Sequence, residues 1–132
     1  MVSQENLERV EGIMREWAAG NWFVGADLIA ADVVMTGAVP EGDVVSEGLE
    51  AVVSFLQEFL GQWERYWVEP WEFIDLGEKI LVIGRQYGIG ATSGVRVEEP
   101  WYAVFTFRDD RVVGLNFTPD RRAGLAVAGL EE

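Results

Sequence analysis

Glu99 lies in the stretch EEPWYAVFTF, residues 98–107, as a carboxylate on a face that is otherwise apolar. At the strand period of two, Val95, Val97, Trp101, Ala103, Phe105 and Phe107 share that face with it, while Arg96, Glu98, Tyr102, Thr106 and Arg108 fall on the other. An ionisable group among apolar neighbours is a candidate general base, and Tyr87 is a candidate donor for the enolate that such a base would create. The preceding run KILVIGRQYGIGA puts Leu81, Ile83, Arg85, Tyr87 and Ile89 on one side by the same alternation. A hairpin turning at Thr92–Gly94 sets Arg85 opposite Glu99 on the inward face. That pair has two readings: a bidentate anchor for the polar end of a ligand in an apolar cavity, or a structural ion pair that only balances itself.

Other chemistries are limited by composition. The chain contains no histidine and no cysteine, which excludes zinc sites and Ser-His-Asp triads in their histidine forms and leaves Asp, Glu, Lys and Tyr as the available acids and bases. No metal and no cofactor are expected. Twenty-three acidic against ten basic residues give a net charge of −13, which opposes the counterion-release binding of polyanions, so nucleic acid and anionic membranes are not expected partners. The first residues, MVSQENLERV, lack the basic start and apolar stretch of a signal peptide, and no apolar run approaches the ~20 residues of a membrane span. A cytoplasmic location is the expectation.

With 132 residues, 49% hydrophobic side chains and six tryptophans, the chain is expected to form one α+β domain over residues 1–132 around a single core. Met14, Trp17, Met35, Phe59, Trp63, Trp101, Phe105 and Phe117 could offer faces for a flat apolar ligand, and each reads first as ordinary core. Asp32 is an acid at a helix-to-strand junction and reads as a turn or cap before it reads as catalytic. Asp109-Asp110 reads as a hairpin tip and Glu131-Glu132 as a solvated tail.

These residues need elements to position them. Ser3 is a candidate N-cap for a first helix with Leu7, Val10, Met14, Trp17 and Ala18 at helical spacing and a stop at Gly20. A second, shorter helix is expected through NWFVGADLIA, then a strand DVVMT and a loop GAVPEGD. Ser46–Gly48 opens a third helix carrying Leu49, Val52, Val53, Leu56, Phe59, Leu60 and Trp63 on one face. Four strands follow, RYWVEPWEFIDL, KILVIGRQYGIGA, VRVEEPWYAVFTF and RVVGLNFT, and Asp120 is placed to cap a last short helix.

The order of these elements, with SQENLERV, GLEAVVSFL, EFIDLGEKILVIGRQYGIGATSGV, FTFRDDRVVGL and LAVAGL in succession, resembles the SnoaL-like proteins of the nuclear transport factor 2 superfamily, relatives of polyketide cyclases and ketosteroid isomerase. The resemblance runs over nearly the whole chain. It implies a cone-shaped fold in which three N-terminal helices pack in a strongly curved, mainly antiparallel sheet with a short C-terminal helix, an apolar cavity at the wide end, and a homodimer through the outer face of the sheet, where Tyr102, Val104 and Thr106 point.

The resemblance also implies where catalysis would sit. The isomerase's tyrosine, base and protonated acid correspond to Ile13, Gly37 and Ala103, none of them polar. Three functions stay open: a binder of a small, largely apolar or aromatic molecule anchored at Arg85 and Glu99, which calls for a cavity of roughly a few hundred Å³; an isomerase, cyclase or dehydratase using Glu99 as base with Tyr87 as donor; and a structural or regulatory homodimer whose cone is filled by its own side chains.

Overall fold

Apolar residues every three or four positions drive the first segment into α1 (Val2–Ala18), which buries Val10, Ile13, Met14 and Trp17. The computed structural model describes residues 2–23, 26–39 and 42–130. A single 3-10 turn, Ala26–Leu28, stands where a second helix was expected, and β1 (Ile29–Val39) and β2 (Gly42–Glu47) follow as an antiparallel hairpin. Then come α2 (Leu49–Gly61), β3 (Trp63–Asp75), β4 (Lys79–Gly90), β5 (Arg96–Arg108), β6 (Arg111–Thr118) and α3 (Arg121–Ala128).

Several boundaries differ from the sequence reading. Helix α1 already includes Ser3, so that residue is not its cap, and Ala18 is exposed rather than part of the packed face. The expected loop 37–43 is mostly strand, because valines on both arms favour a ladder. Ser46 belongs to β2 and pairs with Met35. Helix α2 starts only after Gly48, whose φ of 93° is open to glycine and turns the chain from strand to helix. Trp63 begins β3 instead of ending the helix. Asp120 caps α3 as expected, accepting a hydrogen bond from the Arg122 N–H. The Glu131-Glu132 tail lies outside the described residues.

The six strands form one curved sheet in the order β2-β1-β6-β5-β4-β3. Among the described residues only β1 and β6 run parallel. Register shifts in β3 at Trp63/Arg65 and Pro70/Glu72, and at Thr106/Phe107 between β5 and β6, supply the local bends that curvature requires. Pro70 is tolerated because β3 is an edge strand, and Pro100 because β6 pairs with β5 only from Tyr102 onward.

Alternation splits the sheet into two cores. The concave face contributes Val68, Ile80, Val82, Trp101, Ala103, Phe105, Phe107, Val112 and Leu115 to the main core with α1 and α2. The convex face contributes Leu81, Tyr102 and Val104 to a second core under Leu125 and Ala128 of α3. Helix α3 therefore covers Tyr102 and Val104, which the resemblance had left for a dimer partner. At the tip between β5 and β6, Asp109 sits at φ 58° and its carbonyl accepts from the buried Asn6 amide at 2.9 Å, tying α1 to the sheet. Asp32 lies within β1, and its carboxylate receives both Arg108 Nη atoms at 3.1 Å. That guanidinium holds Asp32 below the usual carboxylate range, on an exposed surface far from a catalytic setting. No helix among the described residues is long and apolar enough to cross a membrane.

Candidate ligand pocket

Helix α2 has a strongly apolar face, yet only Val52 on it is fully buried. The rest, from Phe55 to Leu60, stands against a cavity between α2, the end of α1 and the concave sheet face. Its volume is about 100 Å³. Trp17 and Trp22 close one side, Phe55, Leu56, Phe59 and Leu60 another, and Met35, Gly37, Tyr66, Gln86, Trp101 and Phe117 form the floor from β1, β3, β4, β5 and β6.

The rings make one connected wall. Trp22 lies 5.6 Å from Trp17 and 5.5 Å from Tyr66, Phe59 meets Tyr66 edge-on at 5.0 Å, and Trp101 stacks on Phe117 at 5.8 Å. Tilted and edge-to-face contacts of this kind add roughly 0.5–1.5 kcal/mol each beyond area burial. No Asp, Glu, Lys or Arg is among the lining residues.

One polar chain runs along the floor. The Tyr66 hydroxyl donates to Gln86 Oε1 at 2.7 Å, and Gln86 Nε2 donates to Glu99 Oε1 at 3.4 Å. Burial, and after it the Glu99 carboxylate, hold the Tyr66 phenol protonated well above the ordinary tyrosine range. Trp17 Nε1 is sealed inside the core with no hydrogen-bond partner, as is Trp63 Nε1. Unmade hydrogen bonds of buried groups cost about 1–3 kcal/mol each.

Of the residues singled out from sequence, Trp17, Met35, Phe59, Trp101 and Phe117 meet at the cavity. Met14 is fully buried in the core and does not reach it. Trp63 packs behind Phe59 and Tyr66. Phe105 and Ile13 border a smaller hollow of about 30 Å³. Ala103 is fully buried, while Gly37 opens onto the cavity without a side chain.

The expected Arg85–Glu99 pair does not form. The β4–β5 ladder sets Gln86 opposite Glu99, Arg85 opposite Pro100 and Tyr87 opposite Glu98. The turn accounts for this shift: Gly94, at φ 69°, donates to the Gly90 carbonyl, and the Gly90 N–H donates to the Val95 carbonyl, which lengthens the connection by one residue. A one-residue slip exchanges the two faces of a strand. Arg85 and Tyr87 therefore lie on the convex side, where Arg85 pairs with Glu98 at 3.3 Å and the Tyr87 hydroxyl donates to Glu69 at 2.8 Å. That hydrogen bond to Glu69 is the first cause that raises the Tyr87 phenol above its ordinary value. Tyr87 and Glu99 thus stand on opposite faces of the sheet and cannot act on one substrate.

Sequence reasoning passed over Trp22, Phe55, Tyr66 and Gln86. A signal existed for two of them: Tyr66 shares alternation with Val68, and Gln86 with Ile80 and Val82, so each is a polar group on a strand's apolar face. Among the described residues no group of three or more His, Cys, Asp or Glu is placed to hold a metal ion.

The sequence profile of the SnoaL-like domain family matches residues 10–115. No curated protein sequence matches the chain. Among solved structures, a nuclear transport factor 2-like protein of unknown function from Burkholderia pseudomallei has a TM-score of 0.77 at 20% identity, over 93% of this chain and 96% of its own. A candidate SnoaL-like polyketide cyclase from Jannaschia sp. CCS1 also has 0.77, at 19% identity over 98% and 94%. A protein with the ketosteroid isomerase-like fold from Catenulispora acidiphila, solved in complex with trimethylamine, has 0.73 at 17% identity over 94% of each chain. Identities at this level establish a shared fold and leave the chemistry to the residues of the site.

Proposed function

Because this chain belongs to the SnoaL-like domain family, we propose that it uses the family's cavity to bind a small, compact, largely apolar molecule, and that binding rather than turnover is its activity. The observation that carries this reading is the uncharged aromatic wall: rings from α1, α2, β3, β5 and β6 converge on one hollow that the chain does not fill. A hollow of about 100 Å³ is below the roughly 300–1,000 Å³ that encloses drug-sized ligands, and nearer the ~150 Å³ that accepts benzene. A hollow of that size favours a compact ligand over a steroid or a folded polyketide. The trimethylamine found in the Catenulispora protein is a ligand of the right scale.

Turnover of the isomerase or cyclase kind finds no support in the residues. Ile13, Gly37 and Ala103 bring no acid, base or donor, and Glu99 stands behind Gln86 instead of lining the cavity. Titrating the protein with phenol while following tryptophan fluorescence tests the reading, since Trp17, Trp22 and Trp101 line the hollow. Saturable quenching that is lost in Phe59→Ala is the expected result. The absence of any saturable binding by phenol or other compact apolar probes would instead favour a cone filled by its own side chains.

A homodimer through the convex face belongs to the same reading, relocated away from α3. Trp67 stacks on Tyr87 at 5.2 Å, Arg65 lies 4.4 Å over the Trp67 ring, and Trp71 is 62% exposed. Aromatic and arginine side chains on an uncovered sheet are the composition that interfaces favour. Sedimentation giving a single 14.8 kDa species at micromolar concentration would remove the dimer and leave the pocket reading untouched.

A further inference from the structure

We propose, building on the small-molecule reading of the cavity, that its preferred occupants are small alkylammonium cations, held by the ring faces of an aromatic box. The first ground is what the wall offers. Trp17, Trp22, Tyr66, Phe59, Trp101 and Phe117 present π systems, whose faces carry negative potential and attract a cation within about 6 Å of a ring centre. The second is what the wall withholds. A carboxylate ligand needs a cationic partner, and the polar groups of this wall are neutral: the Tyr66 O–H is given to Gln86, a Gln86 N–H is given to Glu99, and Thr36 and Thr118 add only hydroxyls. The oxygens of Tyr66 and Gln86 keep lone pairs, which suit a positive partner.

Charge and size point the same way. A net charge of −13 gives the surroundings of the molecule a potential that concentrates cations and repels anions. Glu99 adds a carboxylate one side chain behind the floor, at 3.4 Å from the Gln86 amide. The lining itself carries no cationic side chain to compete. A volume of about 100 Å³ accepts a group such as trimethylammonium, whose charge is spread over methyl groups and loses less hydration than a primary ammonium on entering an aromatic hollow. A primary ammonium would lose more hydration and find no carboxylate in the wall to replace it.

Choline and its uncharged isostere 3,3-dimethyl-1-butanol have nearly the same shape, so calorimetric titration of the full chain with each isolates the charge. The expected result is choline binding at least tenfold tighter than the isostere at low ionic strength. In Trp22→Leu that preference falls several-fold, while Trp22→Phe, which restores a ring, retains more of it. The Trp22→Leu protein keeps the net charge, so loss of the preference there assigns it to the box and not to the surface. If the isostere or phenol binds and choline binds no better than the isostere, the cation proposal is overturned and the small-molecule reading stands. If choline's preference survives unchanged in Trp22→Leu, its site lies elsewhere and the proposal fails. If choline, the isostere and phenol all fail to bind, both readings fall together.

Discussion

The Tyr66 hydroxyl and the Gln86 side-chain carbonyl are joined by a 2.7 Å hydrogen bond across β3 and β4 on the cavity floor. The bond orients the phenol ring against Phe59 and Trp22 and occupies the phenol proton that a ligand could otherwise take. Tyr66→Phe keeps the ring and leaves the Gln86 oxygen without its donor. A loss of about 1–2 kcal/mol in chemical denaturation is expected. No loss would mean that the bond contributes nothing in solution.

Alkaline pH gives the same residue a second signature. The folded-state phenol is held above its ordinary value of 10.0, first by burial and then by the charge of Glu99. Above that ordinary value the unfolded chain releases the proton while the folded chain keeps it, so the contribution is complete below pH ~10 and declines as pH rises beyond it. Wild-type stability should therefore fall more steeply from pH 9 to pH 11 than that of Tyr66→Phe. Equal slopes would place the phenol in water.

Glu99→Gln distinguishes the observed register from an inward ion pair. Breaking a buried charge pair costs about 3–5 kcal/mol. Here Glu99 is half-buried and accepts only a 3.4 Å bond from Gln86, a role that a glutamine oxygen can also fill. A change below about 1 kcal/mol is expected, together with a downward shift of the Tyr66 titration followed by ultraviolet absorbance, because a negative charge near it has been removed. A loss of several kcal/mol would restore the inward pair.

Arg85→Ala tests the convex placement. Its pair with Glu98 spans 3.3 Å between side chains that are 29% and 60% exposed, so about 0–1 kcal/mol is at stake, and that amount should shrink in high salt. Phenol or choline affinity of the isolated subunit should not change. A large loss of affinity would return Arg85 to the pocket.

Gly124→Ala probes how closely α3 docks. A Cβ at this position would fall 2.7 Å from the Tyr102 Cβ, too close unless the helix moves away. Alanine favours an exposed helix by up to ~1 kcal/mol over glycine, yet overpacking costs about 1–3. Net destabilisation is expected, with faster amide exchange along residues 121–128. A more stable protein would show that α3 does not rest on Tyr102.

Much of the sheet was legible in the chain. Trp101, Ala103, Phe105 and Phe107 share the concave face because a strand's side chains alternate whatever it pairs with, and that period survives any error in register. The same holds for Val10, Met14 and Trp17 on α1, whose spacing commits them to one side of a helix. The absence of polar groups at Ile13, Gly37 and Ala103 is likewise a property of the sequence. Which face of β4 joins the pocket was not legible, because it depends on the length of one turn: Gly94 at φ 69° admits an added residue, and Gln86 replaces Arg85 beside Glu99. The fate of Tyr102 and Val104 was decided by α3 folding back over them, a contact between residues far apart in the chain. The cavity itself belongs to tertiary structure alone: helical spacing places Leu56 and Phe59 toward the sheet, but the distance at which α2 comes to rest depends on the rings it meets there, such as Tyr66 edge-on to Phe59 at 5.0 Å, and that distance separates a hollow from a filled core.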